Sequence, residues 1–156
     1  MSDKKATFAA GCFWGVEATF KKLPGVKDTV VGYTGGDVEN PTYRMVCTNE
    51  TGHAEAIQVT YDPDETNYET LVQAFFDMHD PTTLNRQGPD VGSQYRSVIF
   101  YHNDEQRKIA EKIKKEVDKS GKYRYPIVTQ IAPLEKFYEA EEYHQDYYAK
   151  TRFWRS

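Results

Sequence analysis

The five residues Gly11-Cys12-Phe13-Trp14-Gly15 constrain this chain more than any other stretch. Before them runs Ala6-Thr7-Phe8-Ala9-Ala10, short and apolar enough to be a buried strand. After them apolar residues recur at Phe13, Val16, Phe20 and Leu23, a helical spacing that Pro24-Gly25 stops. Cys12 therefore falls where a strand hands over to a helix. The unpaired N–H groups and the positive end of the helix dipole at that point favour a thiolate. Two flanking glycines let the backbone turn tightly and let a second molecule approach. Phe13 and Trp14 set large apolar surfaces beside the sulfur. The functional reading is a nucleophilic thiol with an aromatic wall; the structural reading is a buried cysteine acting as a small hydrophobe.

The rest of the chain alternates strands and helices with irregular connections. Val26 to Tyr33 reads as a strand ended by Gly35-Gly36, and Gly36 to Gly52 is polar and turn-rich, with no regular structure expected. His53 to Tyr61 alternates like a strand up to Asp62-Pro63. Thr66-Asn67-Tyr68-Glu69 has capping-box form, and Tyr68, Leu71, Val72, Phe75, Phe76 and His79 follow at helical spacing. Asp80 to Gln94 is a second turn-rich loop. Ser97 to His102 reads as a strand, and a helix opened by Asn103 turns Ile109, Ile113 and Val117 inward before it ends at Ser120-Gly121. A last strand is expected over Pro126 to Ala132, and an aromatic-rich helix from about Tyr138 to Tyr148. The pattern supports an α/β or α+β two-layer sandwich, as a single domain over residues 1–156.

Composition closes off several classes of function. Twenty basic against 24 acidic residues give a net charge of −4, which argues against a nucleic-acid surface. No apolar run approaches the roughly 20 residues that span a bilayer, and no secretory signal stands behind Met1-Ser2-Asp3-Lys4-Lys5. Two cysteines without a CxxC pair suit a reducing, cytoplasmic setting. His53, His79, His102 and His144 show no metal spacing, so neither a metal nor a cofactor is expected.

Glu55 is the most informative residue after Cys12. Strand alternation puts it on the face of His53, Ile57, Val59 and Tyr61, opposite Ala54, Ala56, Gln58 and Thr60. On an inward face a carboxyl is desolvated, its pKa rises, and it can hold a proton near neutrality. The alternative is exposure at the strand's start. Tyr43 and Tyr95 sit in loops, where a phenol can point at a ligand or simply pack. Asp90, in Gly88-Pro89-Asp90, reads locally as a turn residue. Cys47 reads as a small buried hydrophobe.

The stretch around Cys12 resembles the active-site motif of the peptide methionine sulfoxide reductases of the A type. Asn40-Pro41-Thr42-Tyr43, Thr51-Gly52-His53-Ala54-Glu55, Gly88-Pro89-Asp90, Gln94-Tyr95-Arg96-Ser97 and Glu141-Glu142-Tyr143-His144-Gln145 follow in that family's order, from Ala6 to Tyr147. The resemblance implies a ferredoxin-like core, a mixed sheet with packed helices. It implies thiol-dependent reduction of methionine-S-sulfoxide, free or in oxidised proteins and peptides, as repair after oxidative damage. Cys12 would be the nucleophile that passes through a sulfenic acid, and Glu55 the acid that protonates the departing oxygen. Tyr43 and Tyr95 would hydrogen-bond that oxygen, Asp90 would order its site, and Phe13 and Trp14 would hold the S-methyl group. Many members also carry cysteines in a tail beyond the Tyr143-His144-Gln145 stretch. Here Thr151-Arg152-Phe153-Trp154-Arg155-Ser156 holds no thiol, so Cys12 is expected to stay sulfenic until an external thiol attacks it, from thioredoxin or from glutathione with glutaredoxin. A monomer is expected. Two other classes compete: a Cys–His hydrolase pairing Cys12 with His53 or His144, and an RNA reader on a ferredoxin-like sheet.

Overall fold

Strand β1 (Lys4–Ala10) runs through the middle of the sheet and delivers the chain to Gly11 and Cys12. The computed structural model describes residues 3–48 and 50–147. Helix α1 (Phe13–Lys21) follows, and Phe13, Val16 and Phe20, spaced at three and four, are its buried apolar face. Strand β2 (Val26–Thr34), a one-turn helix α2 (Tyr43–Val46) and strand β3 (Ala54–Tyr61) come next. Helix α3 (Tyr68–Asp77) opens at Asn67, whose side chain accepts from the Thr70 N–H; the cap is thus one residue later than Thr66. A two-residue hairpin, β4 (Arg86–Gln87) and β5 (Asp90–Val91), and a 3-10 turn (Ser93–Tyr95) fill the second loop. Strand β6 (Ser97–Tyr101), helix α4 (Asp104–Lys119, capped by Asn103), strand β7 (Gln130–Pro133) and strand β8 (Phe137–Glu139) complete the order, before a 3-10 turn (Glu142–His144).

The main sheet has the order β7-β6-β1-β3-β2-β8. β1 is antiparallel to β3 and β6, and β2 is antiparallel to β3. β1-α1-β2 and β3-α3-β6 are therefore two interleaved split βαβ units, the ferredoxin-like arrangement. β7 joins β6 in parallel and β8 joins β2 antiparallel, which makes the sheet mixed. One face carries Phe8, Val31, Tyr33, Ile57, Val59 and Ile99 under the helices, with Phe20, Leu71, Phe75 and Ile113 packed down on them. The opposite face carries Ala9, Ala54, Ala56, Val98 and Phe100, covered by Ala132, Leu134 and Phe137. The alternation expected in 53–61 is thus present, with Glu55 on the helix side.

Three expectations fail, at 43–46, 126–132 and 138–148. Tyr43–Val46 forms a helical turn where none was expected, because the Thr42 hydroxyl caps it by accepting from the Met45 N–H. The strand over Pro126 to Ala132 begins only at Gln130, and the helix expected over Tyr138 to Tyr148 is absent through Asp146, Tyr147 being helical; Tyr148 lies outside the described residues. Phe137–Glu139 instead pairs with Gly32–Thr34, since the outer edge of β2 needs ladder partners that a helix cannot supply. Gly32 makes this possible: a Cβ there would run into the Tyr138 carbonyl and the Phe137 ring.

Candidate active site

Cys12 is the N-cap residue of α1, and its carbonyl accepts the first helical bond from the Val16 N–H at 3.3 Å. Gly11, at φ +104°, makes the turn from β1, and a Cβ there would strike the Gln87 side chain. The Phe13 N–H, one of the unpaired donors of the first turn, points at Glu55 Oε1 at 3.2 Å. The helix N-terminus thus carries the thiol on one residue and grips the carboxyl on the next.

Glu55 is 1% exposed, and Oε2 has no hydrogen-bond partner among the described residues. Burial pushes its pKa up to about 7, opposed by the Phe13 N–H and the Gln94 side chain, and helped by the charge of Asp90. This agrees with the inward placement read from strand alternation. Cys12 is half-buried, and here the local expectation is outweighed. Burial first, then the carboxylates of Glu55 and Asp90, drive its thiol up to about 11, although N–H groups of Trp14 and Gly15 pull the other way. The helix terminus does favour the thiolate; desolvation and two neighbouring anions are stronger. When Glu55 holds its proton, one of those anions is gone.

Tyr43 and Tyr95 are both half-buried, at the start of α2 and in the 3-10 turn before β6. Burial and the charge of Glu55 raise both phenols, Tyr95 to about 12, so both are hydrogen-bond donors at neutral pH. Asp90 lies on β5 and adds its field to Cys12, Glu55 and Tyr95. Phe13 is 1% exposed and backs the wall, with its ring 6.4 Å from that of Tyr43 and 5.2 Å from that of His144. Trp14 is half-buried; its indole N–H donates to His144 Nδ1 at 2.9 Å and its ring stacks on Tyr147 at 3.9 Å. All seven residues singled out in the sequence gather around one end of the sheet.

Other members of the cluster had weaker signals or none. Tyr33 stands opposite Glu55 across the β2–β3 ladder, and its hydroxyl donates to Glu141 Oε1 at 2.8 Å. Glu141 Oε2 in turn accepts from the Tyr43 N–H at 3.0 Å. Gln94 is buried, and donates to Cys47 Sγ at 3.5 Å. Glu141 and Gln94 lie inside the shared stretches quoted above, but Tyr33 had no mark beyond its place in a strand. Cys47 is exposed rather than buried: it is the C-cap residue of α2, just past Val46, which takes the buried place instead. The histidines give a Cys–His hydrolase no base: His53 accepts from the Gly36 N–H and bonds the Val38 carbonyl, and His144 accepts from Trp14. Among the described residues no three His, Cys, Asp or Glu side chains converge as a metal site. No described helix is long and apolar enough to cross a membrane.

A neutral thiol, a protonatable carboxyl and two phenols stand together at one end of a ferredoxin-like sheet beside an aromatic wall, a set of groups that suits a thiol-based oxidoreductase. Residues 4–155 match the family model described as peptide methionine sulfoxide reductase. The chain is 61% identical over 149 residues to a peptide methionine sulfoxide reductase MsrA of Methanoculleus marisnigri, across 96% of this chain and 91% of that one. Its fold matches the crystal structure of Mxr1 from Saccharomyces cerevisiae in reduced form with a TM-score of 0.91 at 42% identity, over 97% of this chain and 87% of that one. Mxr1 in complex with Trx2 matches with a TM-score of 0.68 at 34% identity, over 94% and 85%. The chain belongs to the peptide methionine sulfoxide reductase family.

Proposed function

We propose that this protein reduces methionine-S-sulfoxide, free or within oxidised polypeptides, with Cys12 as nucleophile and Glu55 as proton donor. The observation that carries the assignment of roles is the Glu55 carboxyl: buried, poised near pH 7, and held by the N–H of the residue next to Cys12. A sulfoxide sulfur is a poor electrophile until its oxygen is protonated or strongly hydrogen-bonded. Glu55 gives its proton to that oxygen, with Tyr43 and Tyr95 donating to it and the Asp90 carboxylate ordering the site. Protonated or spent, the pair keeps count: the Cys12 thiol proton returns to Glu55 as the sulfur attacks. The S=O bond breaks, the S–O bond of a Cys12 sulfenic acid forms, methionine leaves reduced and Cys12 is oxidised. Trp14, backed by Phe13, receives the S-methyl group away from water.

The sulfenic acid is then reduced by an external thiol, and the solved complex of Mxr1 with Trx2 supports thioredoxin in that role. Glutathione with glutaredoxin is the other donor of this chemistry. A second reading is favoured by the exposure of Cys47 beside Gln94: its thiol condenses with the sulfenic acid, and thioredoxin reduces the disulfide. We read residues 1–156 as one domain acting as a monomer in the cytoplasm, in repair after oxidative stress.

Mass spectrometry of a methionine-sulfoxide peptide incubated with protein and dithiothreitol tests the activity, and chiral separation of unreacted substrate tests the epimer. Loss of the S-form alone is expected; activity that survives Cys12→Ser would overturn the mechanism. Dimedone labelling of oxidised wild type and normal cycling of Cys47→Ser are expected for direct reduction. A Cys12–Cys47 disulfide in the peptide map, with Cys47→Ser stalled after one turnover, selects the second reading.

A further inference from the structure

One stripe of α1 is turned toward the chain that follows β8. Trp14, Glu17 and Lys21 recur at i, i+3 and i+7, so they lie along one line of the helix. All three grip the same short segment. Trp14 bonds His144 and stacks on Tyr147. Glu17, 2% exposed, accepts the Asp146 N–H on Oε1 at 2.7 Å and the Thr29 hydroxyl on Oε2 at 2.8 Å. Lys21 forms an ion pair with the Asp146 carboxylate. Asp146 sits at φ +54°, in the left-handed region that Asp enters more readily than most side-chain-bearing residues.

The far side of the segment is fastened to the sheet edge. β8 stops pairing at Glu139, and the Ala140 N–H makes the last main-chain bond, to the Val31 carbonyl at 2.9 Å. The next place on the β2 edge is taken by a side chain. Gln145 Oε1 accepts from the Val31 N–H at 2.9 Å, while Nε2 donates to the Val31 carbonyl at 2.9 Å and to Ala140 O at 3.0 Å. The carboxamide stands in for one peptide unit of a strand. It pins residue 145, with the His144 N–H bonded to the Glu141 carbonyl and the Asp146 N–H to Glu17, so that His144 and Tyr147 are presented to the indole.

We propose that Gln145 and Glu17 are positioning residues that set the Trp14 wall of the substrate pocket by fastening residues 144–147 between the β2 edge and α1. An indole hung from α1 alone is free to turn; here its edge is bonded to His144 and its face covered by Tyr147, and both rings belong to the fastened segment. The role rests on the reading of Trp14 as a pocket wall, but the fastening can be measured without turnover.

Gln145→Glu is the first test. It removes the donor to two carbonyls and sets a carboxylate oxygen against them. The expected result is a KM for the sulfoxide peptide raised at least tenfold, with the rate of Cys12 alkylation by iodoacetamide within about twofold of wild type. In a Trp154→Phe background, the indole N–H resonance of Trp14 should lose its protection from solvent exchange. Glu17→Ala should do the same. Glu17→Gln should stay within about threefold of wild type, since an amide still accepts the Asp146 N–H and the Thr29 hydroxyl can turn to accept. A lower melting temperature with wild-type KM and a protected indole in Gln145→Glu would overturn the positioning role. So would a Glu17→Gln as impaired as Glu17→Ala, for the Glu17 half of the assignment. Should wild type not reduce the sulfoxide, the proposed activity fails, and the indole resonance still decides whether the fastening exists.

Discussion

At the scale of residues, Cys12 and Glu55 share one electrostatic problem. Burial raises the cost of charge on both, and the Glu55 carboxylate raises it further on Cys12. Glu55 as donor must be protonated, so the chemical step should slow as pH rises through about 7, where the carboxyl loses its proton. Glu55→Gln is expected to slow single turnover by roughly 100-fold or more and to abolish that limb of the pH profile. The same substitution removes the second-largest cause of the raised Cys12 pKa. Alkylation of Cys12 at pH 8 should then quicken by about threefold to tenfold, even as reduction fails. Opposite changes in nucleophile reactivity and in catalysis would be hard to reconcile with simple loss of folding. Tyr43→Phe and Tyr95→Phe should each be mild and the double variant worse than their product, because both phenols serve one oxygen; stopped-flow single turnover measures this.

At the scale of elements, the site depends on edges more than on helix faces. β8 exists because Gly32 leaves room for it, and β8 leads directly to Glu141, which holds Tyr33 and Tyr43. Gly32→Val should destabilise the fold by about 2–3 kcal/mol in urea titration through overpacking at the edge, and should also lower activity by loosening Tyr43. Asn67→Ala removes the cap of α3, far from the cleft. Its expected cost is about 1 kcal/mol with unchanged kcat/KM. Equal effects of the two on activity would mean that the β2 edge has no special bearing on the site. The cap at Asn103, the start of α3 to within one residue, and the buried faces of α1 and α3 were legible locally, since one-sided burial writes a 3.6-residue period into the chain. α2 and β8 were not. α2 is a single turn, too short for a period, and β8 is specified by a strand more than a hundred residues earlier.

At the scale of the whole molecule, a carboxyl kept out of water leaves a mark on stability. Glu55 titrates near 4.5 when unfolded and about 7 when folded, so the folded state binds the proton more tightly. Its contribution is therefore fully present below pH 4.5 and is lost as pH rises through about 7. The loss amounts to roughly 3 kcal/mol. Wild type should lose that much relative to Glu55→Gln between those pH values, and a parallel pair of stability curves would refute the burial argument. The cost is borne at the mouth of the sheet where β1, β3 and the two long loops meet, and the remaining strands carry an ordinary apolar core.

Several of these features were settled by the sequence alone. The strand–Cys–helix junction, the alternation of residues 53–61, the succession of strands and helices and the motifs of the family are all local or ordered patterns, and a pattern of spacing survives folding unchanged. The tertiary structure decided what spacing cannot express. It set the Cys12 thiol high rather than low, because burial and the Glu55 and Asp90 charges, brought from elsewhere in the chain, outweigh the local helix terminus. It turned Cys47 outward, laid 137–139 along β2 in place of a helix, and used the Gln145 side chain as a rung of the sheet. Each of these depends on groups joined through space across tens of residues or more, where desolvation and unpaired backbone donors set the energy and the neighbouring residues in sequence have no say.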